Sequence, residues 1–414
     1  MTDAASPPPL PLGLTVAAAQ WTLALSWTVY VVFLPTLAAQ AGLAPSAVLL
    51  LLMLDQLVFV LADYACGVAS DRMLALQARL GPWLVGFTLV SAGAFVLLPV
   101  LAPAGSPALF VAVTLVWTLS SSVLRAPPMN LIGRHARRPA QPALVALAML
   151  GLGLAAALAP WLSLELKGRD ARLPFIVASL GVCAAALALA AAERQVRRRA
   201  GTATAASSPA SAAPPGGTPG TLLLAAALLA ALSFQLHTSL NAAAQYRRFV
   251  PAEALAWWLP VFWAGFNLAL WPAMKLAPRL GELRLVAAAA LMAALAAVAG
   301  AAAPSLALLA AAQAVAGMAW AGMLAGGFMA ALALGHVGRE GRFSGALSSS
   351  LAGAALCRLA LVASGTATAL RSAGGTWADL APALLWLAAA GMLLQARARA
   401  GVKASTARGA SPFS

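Results

Sequence analysis

Residues 61–73, "LADYACGVASDRM", close a long apolar run with Asp63, Asp71 and Arg72, and the two acids stand four residues on either side of Gly67. A charge carried into hydrocarbon costs about 3 kcal/mol or more, so each of these side chains needs a partner or a way out to water. The rest of the chain makes hydrocarbon the relevant solvent. Of its 414 residues, 62% are hydrophobic and 9% charged, with a mean hydropathy of +0.88, whereas a soluble domain carries about 25% charged residues. A bilayer core of about 30 Å takes about 20 apolar residues per helical span, and Ala, Leu, Gly and Val supply such runs repeatedly. The composition is that of an all-α membrane protein whose helices pack through small residues.

Working outward from that stretch, the apolar runs predict twelve transmembrane helices, near 14–38, 46–70, 82–102, 107–131, 142–164, 173–193, 221–245, 254–275, 284–302, 305–335, 344–370 and 377–396. Residues 193–220, "ERQVRRRAGTATAASSPASAAPPGGTPG", have a Pro, Gly, Ser and Ala composition that cannot build a core, and read as a flexible linker. The organisation expected is a six-helix bundle over 1–193, a linker over 194–220, a second six-helix bundle over 221–396 and a tail over 397–414. The even-numbered connections and the tail hold 18 Lys or Arg and the odd-numbered ones 6, leaving Arg125 and Arg358 inside spans. Positive loops stay cytoplasmic, so both termini and the linker are expected inside, in a bacterial inner membrane. The opening "MTDAASPPPLPLG" lacks the positive region of a secretory signal, so the first span is expected to be retained.

Several function classes drop out. The net charge of +15 sits in short loops between spans and not along a soluble face, which argues against nucleic acid. Cys66, Cys183 and Cys357 each fall within an apolar span and are expected to be small buried hydrophobes rather than a disulfide framework. His135, His237 and His336 lie in separate spans or loops, so no metal site is expected. No GxxxxGK[ST] loop is present to cradle a nucleotide, and no nucleophile-and-base spacing suggests an enzyme. No cofactor is expected; a solute, protons and membrane lipid are the expected partners of a monomer.

The segment "GVASDR", Gly67 to Arg72, after the second span, resembles the loop signature of the major facilitator superfamily, in which Gly, three residues, Asp and Arg join the second and third helices. The six-plus-six layout of the whole chain is similar too. Leu74, Ala75 and Leu76 stand where the family has a further glycine and basic residues, and Arg79 is the nearest positive charge. The resemblance implies that Asp71 lies beside the start of the eleventh helix, "RFSGALSSS", residues 342–350, bracing the two halves with the aid of unpaired backbone N–H groups. Gly67 would let helices approach closely. The plainer alternative is a solvated turn. In the second half "MKLAPRLGELR", residues 274–284, keeps the positive charges of that loop without its acid. The fifth span's "GLGLAAALAP" ends in Ala159 and Pro160 where proton-coupled exporters of the family carry Gly before Pro, which counts against drug export.

Two charge pairings follow. Asp55 lies about 12 Å inside the second span at 1.5 Å per residue, and Arg358 lies within the eleventh, a helix that meets the second in the superfamily fold. The first expectation is an Asp55 to Arg358 link that breaks and re-forms during transport. The alternatives are anion binding by Arg358 and proton carriage by Asp55. Asp63, eight residues further along, is at the level of Arg125 in "SSSVLRAPPMN", which suggests a second pair, with Pro127 and Pro128 ending or kinking the fourth helix just beyond. An ordinary structural salt bridge is the competing reading of that pair.

In the superfamily the first, fourth, seventh and tenth helices line a central cavity. Candidate lining residues are Ser26, Trp27 and Tyr30 in the first span, Thr118, Ser122 and Arg125 in the fourth, and Gln313 in the tenth. The seventh offers Ser233, His237, Asn241 and Gln245 at intervals of four, hence on one helix side. For His237 an interhelical hydrogen bond competes with proton transfer. Asn267 in the eighth span is a further candidate, between Trp263 and Trp271. Gly317, Gly322, Gly326 and Gly327 are expected to serve close packing. These features predict a secondary transporter of a small polar or anionic solute working by alternating access, with protons as a candidate coupling ion. Drug efflux is the runner-up, and a receptor or lipid-handling protein on the same fold is the alternative of another class.

Overall fold

The structure is a computed structural model that describes residues 9–76, 79–202, 218–335, 338–374 and 376–409. Twelve helices are long and apolar enough to cross a membrane: Leu10–Gln40, Pro45–Leu74, Leu80–Ala104, Pro107–His135, Arg138–Leu166, Arg172–Arg198, Gly220–Tyr246, Ala252–Leu280, Glu282–Ala301, Leu306–Gly335, Glu340–Ala363 and Ala378–Ala396. The protein is a multi-pass membrane protein. Proline opens the second and fourth spans, as Pro45 and Pro107, and the main helical segment of the eighth, as Pro260. Its fixed φ suits a first turn, where its missing N–H costs nothing. Ser106 caps the fourth span by accepting from Leu109 N. A single residue, Gly281 at φ 79°, reverses the chain between the eighth and ninth spans.

The two sets of six spans pack by one pattern. In the first set the first span lies against the fifth and sixth, and the third against the fourth and sixth. In the second set the seventh lies against the eleventh and twelfth, and the ninth against the tenth and twelfth. Across the middle the second span runs along the eleventh and the fifth along the eighth, which are equivalent seams under the same correspondence. Lipid tails are as apolar as Leu, so what holds such seams is van der Waals closeness. A Cβ on Gly317 would strike the carbonyl of Phe262, and one on Gly265 that of Ala314, so the eighth and tenth spans meet backbone to backbone. Gly67 and Gly341 do the same on the second–eleventh seam. Large apolar side chains point away from the core, among them Leu89, Leu180, Leu268 and Leu295; in a lipid solvent this is their favourable side.

Several helix ends differ from those expected. The sixth helix continues to Thr202, so residues 194–202 belong to it, and most of the expected linker, 203–217, lies outside the described residues. The cause is visible at Glu193. This buried carboxylate accepts from Leu80 N at 3.0 Å and Gly81 N at 2.6 Å, tying the end of the sixth span to the first turn of the third. The twelfth helix runs on to Gly409, through part of the expected tail. The eleventh begins at Glu340 and stops at Ala363, and a separate short helix, Thr366–Gly374, takes up what was read as its end. The fourth is kinked rather than ended: Pro127 and Pro128 give no N–H to Val123 and Leu124, a 3₁₀ turn fills the gap, and helix resumes over Pro127–His135. Cys66 and Cys183 are half-buried and Cys357 is exposed, so none is fully enclosed.

Gly67→Ala places a methyl against the Gly341 carbonyl, which neither helix can vacate cheaply, whereas Gly86→Ala enters open space. The first is expected to cost about 1–3 kcal/mol and the second almost nothing, read as thermal midpoints of the purified chains. Equal midpoints would contradict the tight crossing.

Candidate functional site

A cavity of about 700 Å³ lies between the two sets of helices. Its lining reaches Arg125, Phe328 and Ser348 at one end, and Ser163, Tyr246 and Leu259 near the far ends of the fifth, seventh and eighth spans. The first of these ends faces the side on which the sixth helix finishes and the seventh begins, hereafter the linker end.

Below the cavity on that side, the second–eleventh seam is closed. Asp71 Oδ1 accepts from Gly341 N and Oδ2 from Arg342 N, both at 2.7 Å, so the carboxylate occupies the open first turn of the eleventh helix. Asn130 Nδ2 donates to the same Oδ1 at 3.0 Å and to Ser70 Oγ at 2.7 Å, bringing the lower fourth span into the clasp. Ser349 Oγ donates to Val60 O at 2.8 Å higher on the seam. Gly67 allows the crossing, and the Arg72 side chain is exposed beside it.

The break in the fourth span places Arg125. Its Nε donates to Asp63 Oδ2 at 2.8 Å, and its guanidinium lies over the Phe59 ring at 4.2 Å from the centroid. Asp63 is fully buried while the Arg125 side chain is 28% exposed, so the anion is hidden behind the wall and the cation faces the cavity. The Asp63–Arg125 pairing expected from depth is therefore formed.

The Asp55–Arg358 link is not. Asp55 is buried and accepts from Tyr30 OH and Thr118 Oγ1, each at 2.7 Å, within the first set of helices. Arg358 Nε donates instead to Gln235 Oε1 at 3.0 Å. The eleventh helix stops at Ala363, which leaves Arg358 five residues from its end, whereas Asp55 is ten residues from Pro45. At 1.5 Å per residue they differ in depth by about 8 Å, and Asp55 points toward the first and fourth spans, away from the seam.

The seventh-span stripe also faces elsewhere. Ser233 Oγ donates to Pro382 O at 2.6 Å and Asn241 Nδ2 to Ala378 O at 2.8 Å, both on the twelfth helix. His237 Nε2 pairs with Gln313 Oε1 at 3.0 Å, Gln313 Nε2 donates to Gln245 Oε1 at 3.1 Å, and Gln245 Nε2 to Asp379 Oδ1 at 3.3 Å. The stripe thus binds the second set of helices together from within. A spacing of four drifts by about 40° per step in a regular α-helix; the π-helical segment Leu236–Asn241 winds more slowly and cancels that drift. The face turned to the cavity carries Phe234, Gln235, Thr238, Ser239 and Tyr246 instead.

Of the candidate lining residues, Trp27, Arg125 and Gln313 line the cavity. Tyr30 and Thr118 stand behind the wall on Asp55, and Ser26 and Ser122 bond back to the carbonyls of Thr22 and Thr118 in their own helices. His237, Asn241 and Gln245 are buried in the stripe, and Asn267 sits where the eighth span packs on Gly153 of the fifth. Sequence reasoning missed the aromatic lining: Phe59 and Trp117 in the first set, Phe234, Trp263, Trp320 and Phe328 in the second. Their signal was the presence of large aromatic side chains within the spans and away from the membrane interfaces, on the second and eighth helices as well as the first, fourth, seventh and tenth.

Arg125→Met leaves the Asp63 carboxylate buried without a counter-charge and is expected to destabilise the chain by about 3 kcal/mol, measured as loss of folded protein in denaturant. The double change Asp63→Leu with Arg125→Met should recover most of that loss; a double variant no more stable than the single one would contradict the pairing.

Neither a protein-family model nor a curated protein sequence matches this chain. Solved structures do. The human organic anion transporter MFSD10 (TETRAN) is similar over 94% of this chain and 100% of its own, at 16% identity and a TM-score of 0.69. A bacterial homologue of the iron transporter ferroportin, in an outward-facing state, is similar over 94% and 99% at 14% identity and a TM-score of 0.71. The E. coli fucose:proton symporter FucP is similar over 94% and 98% at 14% identity and a TM-score of 0.60. At such identities the likeness establishes architecture, and this chain has the twelve-helix fold of the major facilitator superfamily.

Proposed function

We propose that the protein is a secondary transporter that moves a small polar or anionic organic solute across a bacterial inner membrane by alternating access. The observation that carries the reading is the cavity itself, which lies between two like-packed sets of helices, with the clasped second–eleventh seam below it and a lining that continues to the far helix ends. Counting positive loops makes the linker end cytoplasmic, so the arrangement faces outward. The six-helix units 1–193 and 221–396 rock about the cavity as a monomer, and releasing the Asp71 clasp opens the opposite path. The three similar structures are described as carriers of different cargoes, so cargo is argued from the cavity. Among the described residues its lining includes Arg125 and no carboxylate, which favours a polar or anionic solute over the lipophilic cations typical of drug efflux.

Coupling to protons, in symport, is assigned to Asp55. It is the carboxylate held by hydroxyl groups alone, and Tyr30, one of its two donors, packs against Trp117 of the cavity wall at 4.5 Å between ring centroids. Proteoliposome uptake of labelled metabolite mixtures, with and without an imposed pH gradient, tests the reading. Gradient-driven accumulation is expected in the unaltered chain, and no uptake of any compound would leave a receptor or lipid-handling role. In Asp55→Asn, accumulation driven by the pH gradient should fall at least tenfold while exchange of internal for external solute persists. Gradient-driven accumulation that survives the substitution would remove Asp55 from the coupling.

A further inference from the structure

The cavity carries more chemical information than a polar or anionic solute requires. Arg125 is the one charged side chain lining it among the described residues. Its Nε is committed to Asp63 and one face to Phe59, and its terminal nitrogens form no hydrogen bond with any described residue. Those N–H groups are a planar fork matched to an oxyanion. Arg125 is a single guanidinium with one open edge, so the site holds one oxyanion and offers no second cation to another. The walls are aromatic in a particular way. Trp27 and Trp117, on the first and fourth spans, lie nearly parallel, with centroids 6.1 Å apart and planes at 14°. Phe234 and Trp320, on the equivalent seventh and tenth spans, stack at 4.4 Å and 6°. All four line the cavity, Trp27 and Phe234 partly exposed and Trp117 and Trp320 nearly buried at 3% and 4%, so each half presents one ring backed by another.

We propose that the solute is an amphiphilic organic monoanion with a flat, aromatic body, its acid group on Arg125 and its ring system against the aromatic pairs of the two halves. The proposal rests on the reading of the cavity as the substrate site, and it names the class that site selects. A neutral sugar would accept from the guanidinium through its hydroxyl oxygens but forgo the charge-assisted pairing, and would lay its remaining hydroxyl groups against indole and phenyl faces. A lipophilic cation would find π faces but also a guanidinium and no carboxylate in the lining. A dianion would bring a second charge that no lining cation meets.

Isothermal titration calorimetry of the purified full-length protein tests this with five probes: indole-3-acetate, its neutral isostere indole-3-acetamide, the dianion phthalate, tetraphenylphosphonium and fucose. Indole-3-acetate is expected to bind about tenfold or more tightly than the acetamide, and more tightly than the other three. Asp63→Asn with Arg125→Gln, which removes both charges together, should bring acetate and acetamide to equal affinity. Trp320→Ala should weaken both while keeping their ratio. The ratio in the unaltered chain decides the matter even where a variant fails to fold. Acetamide binding as well as acetate, a tighter complex with phthalate, tetraphenylphosphonium or fucose, or no binding of any probe at millimolar concentration would overturn the proposal. Indole-3-acetate that binds by these criteria yet is not taken up by proteoliposomes would sink the transporter reading and leave this assignment standing. Proteoliposome uptake of fucose or of the cation, with no acetate binding, would do the reverse.

Discussion

A carboxylate set on the amide groups of another helix's first turn is an interaction that exists only while the two helices stay in register. Asp71 makes that contact with Gly341 and Arg342, and the register is possible because Gly67 and Gly341 let the second and eleventh backbones touch. The rest of the site depends on it. With this seam closed, Ser348 on the eleventh span and Phe59 on the second come to the inner end of one cavity, beside Arg125. Small residues bring the two backbones together along this seam, and hydrogen bonds from Gly341, Arg342 and Ser349 join the helices.

Charge inside the membrane is handled differently in the two halves. Among the described residues the first half carries three buried acids, Asp55 answered by hydroxyl groups, Asp63 by a guanidinium that also faces the cavity, and Glu193 by the amides that open the third span. The second half answers polarity with a chain of amides and an imidazole closed upon itself and on the twelfth helix. The cavity accordingly meets a guanidinium in the first half and, in the second, aromatic rings beside Gln235, Thr238, Ser239 and Gln313.

Much of the architecture was legible before any coordinates. Apolar runs of sufficient length have one stable form in lipid, so twelve crossings followed from counting, and the motif at 67–72 pointed to the contact that Asp71 makes. Depth along a helix sufficed to pair Asp63 with Arg125. Depth failed for Asp55 and Arg358 because it ignores azimuth: Asp55 faces Tyr30 and Thr118, and Arg358 lies nearer its helix end than the long apolar run implied. The stripe at Ser233, His237, Asn241 and Gln245 was rightly seen as one face, but a polar face in a membrane can turn to a neighbouring helix as readily as to water, and spacing does not tell these apart. Glu193 was read as the start of a loop because a charge after an apolar run looks like an exit from the membrane; its partners, the amides of Leu80 and Gly81, lie more than a hundred residues away in the chain.

The claim on which the account stands is that the clasp at the linker end and the opening at the far end are two sides of one rocking motion. Double electron–electron resonance measures this directly, with spin labels on Leu76→Cys and Arg284→Cys at the linker end and on Gln40→Cys and Glu253→Cys at the far end, all exposed positions, in a cysteine-free background. Comparing the unaltered clasp with Asp71→Ala, the account predicts that the linker-end distance lengthens as the far-end distance shortens. Distances that stay fixed, or that lengthen together, would contradict it.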